Sequence, residues 1–306
     1  MPMANFRLSF ALPKRQQVAL VDASGISILN EYIPQKDTSI IDIEHMNVFA
    51  LLRMIVAGKK SLFDYIIAYI KVFKPQFVFT FLDNNVDFYK LAAIFPKVKF
   101  IAIQNGHRAN YANQSGFGFF DLLKNESAKN KLSAHAICVL GTTAGNQYTQ
   151  YIQAKPVVTG SLKNNLIGNQ IKPTERFDIV YVSQHAPFEI PNSEVKFFFG
   201  NKSITAEEFY AIEQKIVRFL AAHSKQTGQS FAVLGKRTDS VSYEREFFVT
   251  AASPQEVQFI PRTSETSTYE FCNSASLIVT TDSTIGYEFL ARGNKVVFLS
   301  GRTNAV

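Results

Sequence analysis

The sequence predicts an α/β protein of two successive domains, each a parallel sheet with helices on both faces. Apolar runs of strand length alternate with amphipathic runs of helix length, which is the pattern of β-α-β units. The alternation occurs twice, on either side of a polar segment at 163–176 that carries Asn164, Asn165, Gly168 and Pro173. The chain has 306 residues, 46% of them hydrophobic, so it is long enough for two cores. The expected domains are 1–165 and 175–306.

In the first domain, 17–21 and 26–29 read as short strands. Residues 43–56 read as a helix with Leu51, Leu52 and Ile55 on one face. Residues 61–73 read as a second helix, with Ser61 as its N-cap and Pro75 beyond its end. The run 76–82 is apolar, β-branched and aromatic, as a strand buried on both faces requires. A helix over 86–95 stops at Pro96. Strands follow at 98–103, 136–140 and 156–158, with a helix after Gly141 capped by Thr142 or Thr143. In the second domain, strands are expected at 178–182, 231–234, 257–260, 277–280 and 295–299. The helix at 205–224 has Thr205 as its cap, Glu207 and Glu208 in its first turn, and Ile212, Ile216, Phe219 and Leu220 on one face. A short helix at 285–291 ends at Gly293.

The two cysteines, Cys138 and Cys272, lie far apart and form neither a disulfide framework nor a metal motif. The first eleven residues lack the build of a signal peptide, and no apolar stretch reaches the roughly 20 residues that span a bilayer. A cytoplasmic protein is expected, with a peripheral contact at the inner membrane as an open reading. The net charge of +7 suits an anionic partner: nucleic acid, lipid or a phosphorylated sugar. Dispersed basic residues without an aromatic–basic module argue against nucleic acid. The absence of a G-x-G-x-x-G after the first strand argues against a dinucleotide oxidoreductase. Lys59, Lys60, Lys71 and Lys74 stand among Phe63, Tyr65, Tyr69 and Phe73. That segment reads either as a membrane-surface helix or as an ordinary helix with a solvated basic face.

Ligands of open parallel sheets bind beyond the carboxyl ends of the strands, so the polar residues there are the candidates. The strand at 277–280 runs into Thr281, Asp282, Ser283 and Thr284, which then open a helix. Free N–H groups and the helix dipole favour a phosphate at such a point, and Ser283 and Thr284 add hydroxyls. Glu288, one turn beyond Thr284, faces the same way and can accept from ribose hydroxyls. Plain helix capping is the alternative for this cluster. Ser183, Gln184 and His185 follow the first strand of the second domain; His185 is either a phosphate or leaving-group contact or a structural loop histidine. Lys236 and Arg237 after 231–234 can neutralise phosphate or form a solvated turn. In the first domain, Asp83 is a candidate general base or nucleophile, or else a cap for the next helix. Gln104, Asn105, Gly106, His107 and Arg108 form a loop that can orient an acceptor or a donor carboxylate. Gly160 lets a ligand approach the backbone. His45, His135 and His223 have no partner pattern and are expected to be structural.

The run from Thr280 through Asp282-Ser283-Thr284, Gly286-Tyr287-Glu288, Arg292-Gly293 and Lys295-Val296-Val297 resembles the donor-binding segment of GT-B glycosyltransferases. It looks most like bacterial capsule, teichoic acid and O-antigen enzymes, including the Kdo transferases. The resemblance implies two facing Rossmann-like domains with a cleft between them and a nucleotide held by Ser283, Thr284 and Glu288. It also implies a C-terminal domain that normally continues beyond a point such as Val306. Gly-His loops like that at Gly106-His107 occur in these families. Their Lys-x-His-Pro element is absent here, where Gly235-Lys236-Arg237 stands instead. Bacterial sialyltransferases carry a His-Pro pair that serves cytidine; here Ala186 separates His185 from Pro187. The function implied is transfer from a nucleotide sugar to a saccharide or lipid-linked saccharide, in bacterial surface polysaccharide synthesis. A CMP-linked acidic sugar such as Kdo is favoured slightly over a UDP-sugar. No cofactor and no metal are expected, since helix dipole and basic residues can neutralise phosphate. A GT-B-like nucleotide-sugar epimerase and a non-catalytic scaffold of a polysaccharide assembly machine are the alternatives.

Overall fold

The computed structural model describes residues 7–11, 17–23, 25–33, 38–41, 45–108, 118–167, 175–186, 191–199, 202–264 and 266–299. The chain divides into two compact units, Met1–Gly106 with Phe119–Leu166 and His107–Gly118 with Ile167–Val306.

The first unit opens with β1 (Arg7–Ser9), β2 (Val18–Val21), α1 (Ile26–Leu29), β3 (Thr38–Ile41) and β4 (His45–Asn47), β1 pairing in parallel with β4. Then come α2 (Val48–Val56), α3 (Leu62–Phe73), β5 (Phe77–Thr80), α4 (Val86–Ile94), β6 (Lys99–Ile103), α5 (Phe119–Ser127), β7 (Ser133–Val139), α6 (Thr142–Thr149), β8 (Gln153–Val158) and α7 (Leu162–Ile167). Six strands form a parallel sheet in the order β3-β2-β5-β6-β7-β8. Ser61 caps α3, as its sequence predicts, and the structure adds a capping box with Asp64. Tyr65, Phe88, Tyr89, Phe100 and Tyr148 are fully buried in this unit's core.

The second unit runs β9 (Ile179–Val182), β10 (Lys196–Phe199), β11 (Lys202–Thr205), α8 (Ala206–Thr227), β12 (Phe231–Leu234), α9 (Val241–Ala252), β13 (Gln258–Ile260), α10 (Ser267–Ser274), β14 (Leu277–Thr280), α11 (Thr284–Ala291) and β15 (Val296–Phe298). Its parallel sheet has the order β13-β12-β9-β14-β15. The chain therefore starts at the centre, builds outward through β12 and β13, and returns to the other side of β9. That reversal makes a topological switch point between β9 and β14, where the loops leave in opposite directions and a crevice opens. Alternate residues of β9 serve opposite faces. Ile179 and Tyr181 pack with α8 and α9 through Val217 and Phe248, whereas Val180 and Val182 pack with Tyr269, Cys272 and Phe289.

Several local expectations change. Residues 26–29 form a helix, not a strand, because Gly25 takes a left-handed φ of 75° and turns the chain directly out of β2. A four-residue apolar run cannot distinguish the two by period alone. In α2 the buried residues are Ala50 and Met54, while Leu52 and Ile55 face outward. The inward stripe of α8 contains Phe209, Tyr210, Glu213, Ile216, Val217 and Leu220; Phe219 is exposed. Gly141, not a threonine, caps α6. Part of the expected linker is helical, as α7, and 168–174 lies outside the described residues. Tyr65, Tyr69 and Phe73 point into the core, so the aromatic face expected for a membrane-surface helix is inward. Phe197, whose neighbours Phe198 and Phe199 complete β10, packs on Phe209 in a small cluster beside α8. Strands β1 and β3, helices α5, α9 and α10 and the hairpin β10–β11 had no expectation, and the helix expected over 43–56 begins only at Val48, since His45–Asn47 is strand β4.

Candidate functional site

The switch-point crevice of the second unit gathers most of the candidates. β9 ends at Val182 and delivers Ser183, Gln184 and His185. β14 ends at Thr280 and delivers Thr281, Asp282 and Ser283, with α11 beginning at Thr284. Gln184 ties the two loops together. With its amide oriented to satisfy both neighbours, its nitrogen donates to Asp282 Oδ1 at 3.2 Å and its oxygen accepts from the Ser283 N–H at 3.1 Å. Ser283 N–H also donates to Thr280 Oγ1 at 3.2 Å. Ser283 is the N-cap of α11 with extended backbone angles, yet its side chain makes no capping bond. The helix lies tight on the sheet: a Cβ on Gly286 would sit 2.8 Å from Thr280 Cγ2 and from the Phe298 ring.

Two buried carboxylates support the floor of this crevice. Glu244 of α9 accepts from Ser183 Oγ at 2.5 Å and from the Lys236 N–H at 2.9 Å, so it holds the ends of β9 and β12 together. Glu213 of α8 is fully buried and accepts from the Gln184 N–H at 3.4 Å. Burial pushes its carboxyl up to about 8, and the nearby Glu244 and Asp282 add to the rise. Glu213 is therefore protonated at neutral pH.

His185 is fully buried inside an aromatic box, stacked on Phe247 at 3.9 Å and edge-on to Tyr210 at 4.4 Å, with Tyr243 parallel at 5.3 Å. Among the described residues neither ring nitrogen has a hydrogen-bond partner. Burial, with a smaller push from Lys236, lowers its pKa to about 4. An uncharged, enclosed imidazole is a packing element here, and the expected phosphate contact does not fit these surroundings. Pro187 lies outside the described residues.

Beyond β12, Lys236, Arg237, Thr238, Asp239, Arg262 and Ser264 line an open cleft of about 540 Å3. Arg237 is held by Asp239 in a two-bonded pair, its Nε donating to Oδ1 at 2.6 Å, so much of its charge is already matched. Lys236 Nζ donates to the Gln184 carbonyl at 3.3 Å. Among the described residues Arg262 bonds backbone carbonyls, those of Ser264 and Lys236, and its charge faces the cleft. Along α11, Tyr269 donates to Glu288 Oε2 at 2.6 Å and orients that carboxylate. His107 groups with this unit: its N–H donates to Thr284 Oγ1 at 2.9 Å and its ring lies 4.6 Å from that of Tyr287. Arg108 follows it in the chain.

In the first unit, Asp83 is fully buried. Its Oδ2 accepts a short bond from Tyr148, its Oδ1 accepts from the Asn105 N–H at 3.2 Å, and its carbonyl accepts from Tyr89 at 2.7 Å. Asn85, not Asp83, caps α4. A carboxylate so enclosed braces the loop after β6, and the expectation of a general base or nucleophile is set aside. Gln104 is spent in the same way, donating to the Gly106 carbonyl at 2.9 Å and accepting from the Leu140 N–H at 3.0 Å. Gly160 has a left-handed φ of 66° after edge strand β8, which is the reason for glycine there.

Sequence reasoning missed Glu213, Glu244 and Arg262. A signal existed for the first: Glu213 interrupts an apolar stripe at helical spacing between Phe209 and Ile216, and a carboxylate on a core stripe marks a buried polar site.

A model of the family described as "putative O-antigen biosynthesis protein" matches residues 101–306. The chain belongs to that family. The matched span runs from β6 to the end of the second unit and contains every candidate residue above except Asp83. No curated protein matches the chain by sequence. Its fold is similar to solved structures of low identity. UDP-GlcNAc 2-epimerase from Neisseria meningitidis bound to UDP-GlcNAc has a TM-score of 0.53 at 12% identity, over 94% of this chain and 84% of that one. The Methanocaldococcus jannaschii UDP-GlcNAc 2-epimerase gives 0.51 at 11%, over 96% and 84%. The S. aureus MnaA structure with UDP gives 0.51 at 12%, over 93% and 79%. At such identities the likeness establishes the fold, a GT-B-like α/β arrangement with parallel sheets.

Proposed function

We propose that this O-antigen family protein uses a nucleotide-activated sugar, that the crevice between β9 and β14 receives the donor's phosphates, and that the reaction is glycosyl transfer. The observation that carries this reading is the open N-terminus of α11. Its N-cap, Ser283, leaves the first turn without a side-chain cap, so N–H groups and the positive end of the dipole are offered to an anion. The Ser283 and Thr284 hydroxyls stand beside it, and Lys236 and Arg262 add positive potential from the β12 and β13 side. Glu288, oriented by Tyr269, is the ribose contact. A uridine nucleotide is the first to test, because the S. aureus and Neisseria structures hold UDP and UDP-GlcNAc. CMP is the second, on the resemblance to Kdo transferases. Epimerisation of the sugar is the second reading, favoured by the epimerases among the similar folds.

Ser283→Asp separates binding from capping. An aspartate caps a helix well and interacts favourably with its dipole, so it stabilises the free protein by a few tenths of a kcal/mol to about 1 kcal/mol. The same charge repels a phosphate. Calorimetry with UDP, CMP, GDP and ADP is expected to show selective binding that Ser283→Asp abolishes. Equal binding by wild type and variant refutes the site. With the bound nucleotide's sugar as substrate, release of nucleotide only when a saccharide acceptor is present supports transfer. A new sugar epimer without acceptor supports the second reading.

A further inference from the structure

The end of the α2–α3 hairpin gathers exposed apolar side chains. Val56 is 87% exposed, Ile55 56%, Leu52 53% and Leu62 48%, all within eleven residues. The turn between them, Ala57 to Ser61, is exposed throughout. Its first half is closed by backbone bonds: Gly58, at φ 69°, donates its N–H to the Ile55 carbonyl at 2.8 Å, and Lys59 donates its N–H to that of Met54 at 3.1 Å. Arg53, Lys59 and Lys60 stand among the apolar side chains, and no acidic residue occurs from Val48 to Phe63. The first acid, Asp64, is turned back to accept from Ser61 Oγ at 2.7 Å. Met54 and Ala50 anchor the hairpin from below, so the exposed residues are not displaced core.

We infer that this hairpin end is a docking surface for a bilayer containing anionic phospholipid. Protruding apolar side chains enter the boundary between headgroups and acyl chains, while adjacent cations meet the phosphates. A second copy of the chain is a poorer occupant, since stacking two such ends would bring Arg53, Lys59 and Lys60 of each against their like. The inference is independent of the nucleotide site, which lies in the other unit.

The test is co-sedimentation of the 306-residue chain with phosphatidylcholine vesicles, with and without one-third phosphatidylglycerol. Binding to the anionic vesicles alone is expected. Ile55→Asp with Val56→Asp should lower the partition coefficient more than tenfold. Lys59→Gln and Lys60→Gln should each lower it about fivefold at low salt, from about 1 kcal/mol per lysine near an anionic surface. Phe219→Asp, at an exposed phenylalanine of α8, should leave it unchanged. These positions are exposed, and unaltered circular dichroism confirms folding of each variant. Failure of the wild type to bind anionic vesicles overturns the inference. So does binding that survives the hairpin substitutions, or dimerisation, seen by mass photometry, that Val56→Asp abolishes while vesicles bind neither form.

Discussion

Replacing Glu213 by glutamine should change how the stability of the second unit depends on pH. Burial raises the Glu213 carboxyl from 4.5 to about 8, whereas in the unfolded chain it ionises near 4.5. Between those values the folded state keeps a proton that the unfolded state has released. Stability is therefore full below pH 4.5 and falls as pH rises, by about 1.4 kcal/mol per pH unit, until the folded group ionises near 8. The loss reaches about 3 kcal/mol at pH 7 and about 5 kcal/mol above pH 8. Glutamine has the same shape and no proton to release, so Glu213→Gln should match the wild type near pH 4.5 and exceed it by about 3 kcal/mol at pH 7. The chain has no tryptophan, but Cys272 is fully buried in this unit. Urea unfolding read by thiol labelling of Cys272, with the pulse at one fixed pH and the labelled peptide identified by mass, isolates the relevant transition from that of Cys138 in the first unit. Parallel pH profiles for wild type and variant between pH 5 and 8 would mean that Glu213 is ionised in the fold, and the reasoning from burial would fail.

Two further outcomes follow from the same crevice. Gly286→Ala would normally strengthen a helix, but its Cβ would meet Thr280 and Phe298 at 2.8 Å; a net loss of about 1–3 kcal/mol is expected in the same unfolding assay, and a gain would show that α11 has room to shift. His185, with its pKa lowered to about 4 in its aromatic box, should give imidazole proton shifts that stay flat from pH 8 to pH 5 in NMR, and a midpoint near 6.5 would show that the box opens.

The sequence alone determined those features whose physics is local. Ser61 with Asp64 and Thr205 with Glu208 announce helix starts because the bonds that satisfy the first N–H groups lie three residues apart. The apolar runs at β5, β6, β12 and β14 announce strands covered on both faces, and their polar followers announce the ends where ligands bind. The Asp282-Ser283-Thr284 cluster was legible for the same reason. Tertiary structure decided what depends on neighbours distant in sequence. Which strand lies beside β9, and hence where the crevice opens, is a matter of sheet order. Whether Asp83 is a base or a brace depends on Tyr148, 65 residues away. Glu213 stands on an apolar stripe in sequence and Glu244 on a helix the sequence did not announce, but only the packing of α8 and α9 against the end of β9 buries the two carboxyl groups together. Leu52 and Ile55 read as core from their period, yet α3 packs against the other side of α2 and leaves them in solvent. Periodicity tells that a helix has an apolar face; only the packed partner tells whether that face is covered.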